Sequence, residues 1–241
     1  MIHAALLAAA LAGAPHAPAA PGLYFEQTTR LRQPDGTGTA GVRSRVWCAG
    51  PRMRLEAADA LGPALVLRLA EGRALRLDPE ARVATELDVA RLLARSHADA
   101  AVAAGLMSGP GERLHSTPLA ARRQIAGHPC RGFRIAGSGA AIEAWVAEDL
   151  ALRADQFADF IAWSGAAQAL PDLVAAIRAL PGFPLETRLR VSVFGTPQET
   201  VSTITLIRVS PVAPERFEVP AGWRIVKEQP TPAEPPEEES R

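Results

Sequence analysis

Hydrophobic and polar positions alternate with period two along most of the chain after residue 22, which predicts a β-rich fold. Residues 23–32 read as a first strand, and Pro34-Asp35-Gly36-Thr37-Gly38 as a turn. From Val42 onward, Val42, Ser44, Val46 and Cys48 share one face, and Arg43, Arg45 and Trp47 share the other. Pro51 breaks the run, after which Met53, Leu55 and Ala57 alternate with Arg52, Arg54 and Glu56. Short strands around Leu65–Leu67–Leu69, Leu75–Leu77 and 83–87 complete a meander, separated by turns at Glu71-Gly72 and Asp78-Pro79-Glu80. One apolar face and one Arg-rich face suit an antiparallel sheet with one wet side.

Asp88 changes the period. Val89, Leu92, Leu93, Ser96, Ala100, Ala103 and Met107 fall at helical spacing with Asp88 as N-cap. Gly109-Pro110-Gly111 stops the pattern. Strands resume over 121–126, 130–136 and 141–147, with turns expected at Gly127-His128-Pro129 and Gly137-Ser138-Gly139. A second helical region places Phe157, Phe160, Ile161 and Ser164 on one face. Pro171 then opens a further helix carrying Leu173, Val174, Ile177 and Leu180. Two last long strands follow. In the first, Leu185, Thr187, Leu189, Val191 and Val193 oppose Glu186, Arg188, Arg190 and Ser192. The second, over 200–209, is apolar on both faces and should be covered on both; Gly195-Thr196-Pro197 joins the pair as a hairpin. The last ordered segment is 217–226. The expected class is α+β, mostly antiparallel β, with helical insertions over the concave face of one twisted sheet. Such an arrangement encloses a packed core or a ligand cavity.

The two ends read differently. The run Ala4-Ala5-Leu6-Leu7-Ala8-Ala9-Ala10-Leu11-Ala12, followed by Ala17-Pro18-Ala19, reads as a secretory signal peptide over 1–19, cleaved to leave Ala20. It is too short to span a bilayer, and no later stretch reaches the ~20 apolar residues that spanning needs. A periplasmic or secreted location follows as an expectation. Residues 20–227 then form a single domain, and the Pro/Glu-rich tail 228–241 is expected to be disordered.

Composition adds little to this picture. The chain has 241 residues, 48% hydrophobic, with no net charge, but the tail holds five Glu against one Arg. The remainder is therefore basic by four charges, almost entirely through Arg spread over many strands. Without a basic patch or interleaved aromatics, nucleic-acid binding is not expected.

Candidate chemistry is sparse. There is no G-x-S-x-G, no H-E-x-x-H and no phosphate-cradling glycine loop, so an enzyme is not expected. His128 and Cys130 lack partners at metal-ligand spacing, and neither a metal nor a cofactor is expected. Cys48 and Cys130 are the only cysteines, and in an oxidising compartment they are the candidate disulfide. It would close a loop of about 80 residues, worth roughly 4–5 kcal/mol in the chain-entropy account. Leu92, Leu93, Phe157, Phe160, Ile161 and Trp163 are the candidate lining and lid of a hydrophobic cavity. Simple packing on the sheet is the plainer alternative for them.

Four phrases together resemble one family. They are Val46-Trp47-Cys48-Ala49-Gly50-Pro51-Arg52-Met53-Arg54-Leu55-Glu56, Ala74-Leu75-Arg76-Leu77-Asp78-Pro79-Glu80-Ala81-Arg82, Gln124-Ile125-Ala126-Gly127-His128-Pro129-Cys130-Arg131-Gly132-Phe133 and Phe217-Glu218-Val219-Pro220-Ala221-Gly222-Trp223. The chain resembles an uncharacterised extracytoplasmic bacterial domain family of the LolA-like superfamily, named for its outer-membrane lipoprotein carrier. The resemblance implies a curved half-barrel closed by helices. It further implies a hydrophobic ligand, a lipid or a lipoprotein acyl chain as partner. The alternative partner is another envelope protein, bound at the surface of a solid-core domain.

Overall fold

The computed structural model describes residues 22–32, 37–38, 40–58, 62–88, 115–137, 140–150, 152, 171–193 and 196–228. They form one sheet of twelve strands in the order β12-β6-β5-β4-β3-β2-β1-β11-β10-β9-β8-β7. The first half runs β1 (Gly22–Arg32), β2 (Val42–Ala49), β3 (Arg52–Ala57), β4 (Ala64–Arg68), β5 (Arg73–Asp78) and β6 (Val83–Leu87). The second runs β7 (His115–Ile125), β8 (His128–Gly137), β9 (Ala140–Ala147), helix α1 (Pro171–Arg178), β10 (Phe183–Val193), β11 (Thr196–Val209) and β12 (Arg224–Lys227).

Two five-stranded antiparallel meanders, β2 to β6 and β7 to β11, flank β1, which pairs with both β2 and β11. The β12 strand adds to β6 in parallel. The antiparallel strands expected from the alternation are present, most with ends moved by a few residues. In the expected both-sided strand, now β11, Val201 and Ile204 are buried while Val209 is 49% exposed.

The sheet is open, with β7 and β12 at its edges. The expected half-barrel closed by helical insertions is therefore corrected to an open sheet. The strand ladder never returns to its first edge, so hydrogen bonding does not close it. Among the described residues there is one α-helix, α1, with Pro171 at its start as expected. It buries Ala176 and Ile177, and Leu180 is buried just beyond its end. The helical patterns over 89–107 and 157–164 lie outside the described residues, as do the expected signal 1–19 and the tail beyond 228.

One turn sits a residue earlier than its sequence suggests. Ile125 pairs with His128, so Ala126 and Gly127 alone make the β7–β8 loop, at φ 49° and 86°. Two consecutive positive φ values are those of a type I′ hairpin turn, whose twist matches the flanking strands. Alanine in the left-handed region costs about 1–2 kcal/mol, and the register of the hairpin overrides it. His128 and Pro129 are thereby strand residues.

Candidate functional site

The alternation in β1, β2 and β3 brings their apolar residues into cross-strand rows. Leu23, Cys48 and Met53 make one row, and Phe25, Val46 and Leu55 the next. Ile204 of β11, Phe183 and Leu185 of β10, Trp145 and Ala147 of β9, and Cys130 of β8 join them in one cluster. Phe25 meets Phe183 edge-on, with ring centroids 6.0 Å apart at 62°. Leu23, Phe25, Val46, Phe183 and Leu185 are buried, whereas Cys48, Met53, Leu55, Leu119, Leu150 and Ile207 are only partly buried around them. This rim of incompletely covered apolar side chains is the candidate surface for a hydrophobic ligand.

A polar knot borders the cluster. Glu186 is buried, and its Oε1 accepts hydrogen bonds from Arg123 Nη1 at 3.1 Å and Arg188 Nε at 2.9 Å. Its Oε2 accepts from the Thr203 hydroxyl at 3.2 Å. The Arg123 guanidinium also lies 4.0 Å over the Trp145 ring. Three donors thus hold the Glu186 side chain in one position. The Trp145 indole Nε1 is buried with no hydrogen-bond partner among the described residues. Sequence reading caught the in-strand pair Glu186 and Arg188 but not Arg123, because nothing local places β7 within reach of β10.

His128 Nδ1 and Asp149 Oδ2 lie 3.0 Å apart, beside Cys130. This trio has the residue types of a cysteine nucleophile and its base. Its geometry is otherwise: the Cys130 thiol donates to the His128 backbone carbonyl at 3.4 Å. Burial and then the charge of Asp149 push the Cys130 thiol up to about 11. An activated cysteine needs the reverse shift.

Cys48 and Cys130 are both free thiols, which corrects the expected disulfide. Four strands separate β2 from β8 in the sheet order. Across a flat sheet that is roughly 24 Å at ~4.8 Å per strand, and a disulfide needs Cα atoms within about 7 Å. Inward-facing parity put both sulfurs in one apolar cluster, and parity alone says nothing about distance. Burial pushes the Cys48 thiol up to about 12. With both thiols this far above neutrality, thiolate at pH 8 is scarce, so a thiol reagent should leave the folded protein essentially unmodified and label both cysteines after unfolding. Labelling of the folded chain as fast as of the unfolded one would contradict these raised thiol values.

The other expected site residues, Leu92, Leu93, Phe157, Phe160, Ile161 and Trp163, lie outside the described residues. Among the described residues no group of three or more His, Cys, Asp or Glu side chains converges as a metal site. No helix among them is long and apolar enough to cross a membrane.

Residues 117–223 match the model of a family described as a domain of unknown function, DUF4412. They span β7 to the approach of β12. No curated protein matches the chain significantly. Among solved structures, MucB matches at 12% identity and TM-score 0.45, over 86% of this chain and 60% of that one. The structure of PNGF-II matches at 14% identity and TM-score 0.38, over 86% of this chain and 31% of that one. A domain from Vibrio parahaemolyticus named for outer membrane lipoprotein sorting matches at 10% identity and TM-score 0.30, over 81% of this chain and 88% of that one. The chain thus spans about a third of PNGF-II and three fifths of MucB.

Proposed function

We propose that this chain is a non-enzymatic, extracytoplasmic binding protein. It holds a hydrophobic ligand, a lipid or the acyl chain of a lipidated partner against the apolar face of its sheet. The observation that carries the reading is the rim of partly buried Cys48, Met53, Leu55 and Ile207 continuous with the buried cluster. Covering such side chains with an acyl chain gains about 0.8 kcal/mol per methylene buried, and the contact is non-directional, as a lipid carrier needs. Leu92, Leu93, Phe157, Phe160, Ile161 and Trp163 are proposed to complete the lining and lid.

The test is lipid extraction and mass spectrometry of the full chain, produced with its own first nineteen residues in a bacterial periplasm. A stoichiometric acyl-chain ligand, displaced when Leu55 is replaced by Glu, is the expected result. A ligand-free protein that takes up no added lipid would overturn it. A second reading, a solid-core domain that docks another envelope protein, is favoured by the opposite face, where Arg43 faces Glu26 at 3.7 Å and Arg54 pairs with Glu56. A ligand-free protein that co-purifies with one defined partner would support it.

A further inference from the structure

Strand register lays out the apolar face as cross-strand rows, and one row ends in a charge. Directly opposite residues share a face. Phe25 of β1, Val46 of β2, Leu55 of β3, Leu65 of β4, Arg76 of β5 and Thr85 of β6 therefore form one continuous row. Four apolar members are followed by two polar ones, and Arg76 is the row's only charge.

Arg76 is exposed, and among the described residues it has no ion-pair or hydrogen-bond partner. On the opposite face, Arg54, Arg68 and Arg73 pair with Glu56, Glu218 and Glu86. The neighbours of Arg76 across β4 and β6 on its own face, Leu67, Thr85 and Leu87, are uncharged. The one acid beside it on β5 is Asp78, whose Oδ1 accepts from the backbone N–H groups of Glu80 at 3.0 Å and Ala81 at 2.9 Å. Asp78 is thus engaged in the turn that follows β5. Arg76 and Thr85 stand side by side as donors at the end of an apolar row.

The apolar surface leading away from them is narrow. Leu67 and Ala74 in the adjacent row are buried, as is Val46, whereas Leu65, Leu55, Met53 and Cys48 are half-buried. These four make a single-file track from β4 to β2. Cys48 lies three strands from Arg76, roughly 14 Å at ~4.8 Å per strand. One acyl chain is about 15 Å, half of the ~30 Å hydrocarbon core of a bilayer. A guanidinium matches a carboxylate in shape and charge, and a single guanidinium balances a monoanion.

We propose that the ligand of this face is a single-chain fatty carboxylate. Its carboxylate sits on the Arg76 guanidinium and the Thr85 hydroxyl, and its chain lies across the strands over Leu65 and Leu55 towards Cys48. This rests on the hydrophobic-ligand reading and adds the charge, the number of chains and the direction of the ligand.

The experiment is calorimetric titration of the full chain at physiological ionic strength with dodecanoate and with dodecyltrimethylammonium, both below their micellar concentrations. Dodecanoate should bind the more tightly. Arg76→Gln should weaken it about fivefold, the upper range for an exposed ion pair, and should not weaken the cation. Arg76→Glu should reverse the order of the two. Because Arg76 is exposed, both variants should keep the urea midpoint of the parent. If both amphiphiles bind and Arg76→Gln leaves dodecanoate unchanged, this proposal fails while the hydrophobic-ligand reading stands. If neither amphiphile binds, that reading falls and takes the proposal with it.

Discussion

Replacing Phe217 by Ala should cost about 3–5 kcal/mol of stability, the usual range for emptying a buried phenylalanine site. Phe217 is 0% exposed and packs with Val66, Leu75, Leu77, Ala84 and Val212. It ends a 3-10 turn over Pro214–Phe217 that the sheet grips by its backbone. Arg68 donates to the Phe217 carbonyl from Nε at 3.3 Å and Nη2 at 2.9 Å, and Arg54 takes the carbonyl of Arg216. The Arg216 guanidinium in turn lies 4.7 Å from the Trp47 ring centroid. Val212, Val219, Trp223 and these backbone bonds still hold the segment in place without the phenyl ring, so the site cannot collapse neatly around the void. Urea unfolding followed by circular dichroism reads the loss as a lower midpoint. A change below about 1 kcal/mol would mean that this segment is not part of the core.

The second large effect is at Trp145, where two substitutions should differ sharply. Trp145→Ala should lose about 3–5 kcal/mol, because the ring is 2% exposed in the main cluster. Its Cη2 lies 3.1 Å from where a Cβ on Gly132 would stand, so the ring rests directly on that glycine. Alanine also strips the platform under Arg123. Trp145→Phe should cost under about 1.5 kcal/mol. It shrinks the ring, but it also removes the buried Nε1–H that has no acceptor among the described residues, and an unmet donor costs about 1–3 kcal/mol. The two terms oppose each other. The same denaturation experiment decides: a phenylalanine variant as damaged as the alanine variant would show that Nε1 has an acceptor after all.

Where the sequence was legible, the reason is locality. In β2 to β6 each strand's partner in the sheet is also its neighbour in the chain, so period two and turn residues suffice to place it. The same holds for β8, β9 and the β10–β11 pair. Long-range choices left no local mark. The four-residue β12 falls at the end of the ordered segment expected over 217–226, but nothing local marks it as a strand until β6 gives it a parallel partner, at Arg224 beside Val83 through Lys227 beside Glu86. The β7–β8 turn went to Ala126-Gly127 because pairing of Ile125 with His128 overrode the turn propensity of Pro129. The two cysteines faced inward as their parity required, but their separation depends on strand order, which alternation does not encode. The small cavity lined by Arg45, Arg54, Glu56 and Trp223 shows the same limit: the polar residues of β2 and β3 were visible in the alternation, while Trp223 comes from the far end of the domain.

The central position of β1 has a kinetic consequence. Leu23 pairs with Cys48 on one side and with Val209 on the other. Each meander can zip from hairpins whose loops are short, but the seam that unites them joins the earliest strand to one of the last. Closing so long a loop carries a large entropic penalty before any contact rewards it, and such pairings are slow to form. Until β11 arrives, one edge of β1 stands open with its backbone donors and acceptors bare, the form most prone to mispair with another chain. The vulnerable moment in the life of this protein is therefore the interval between the two halves, and not the finished sheet.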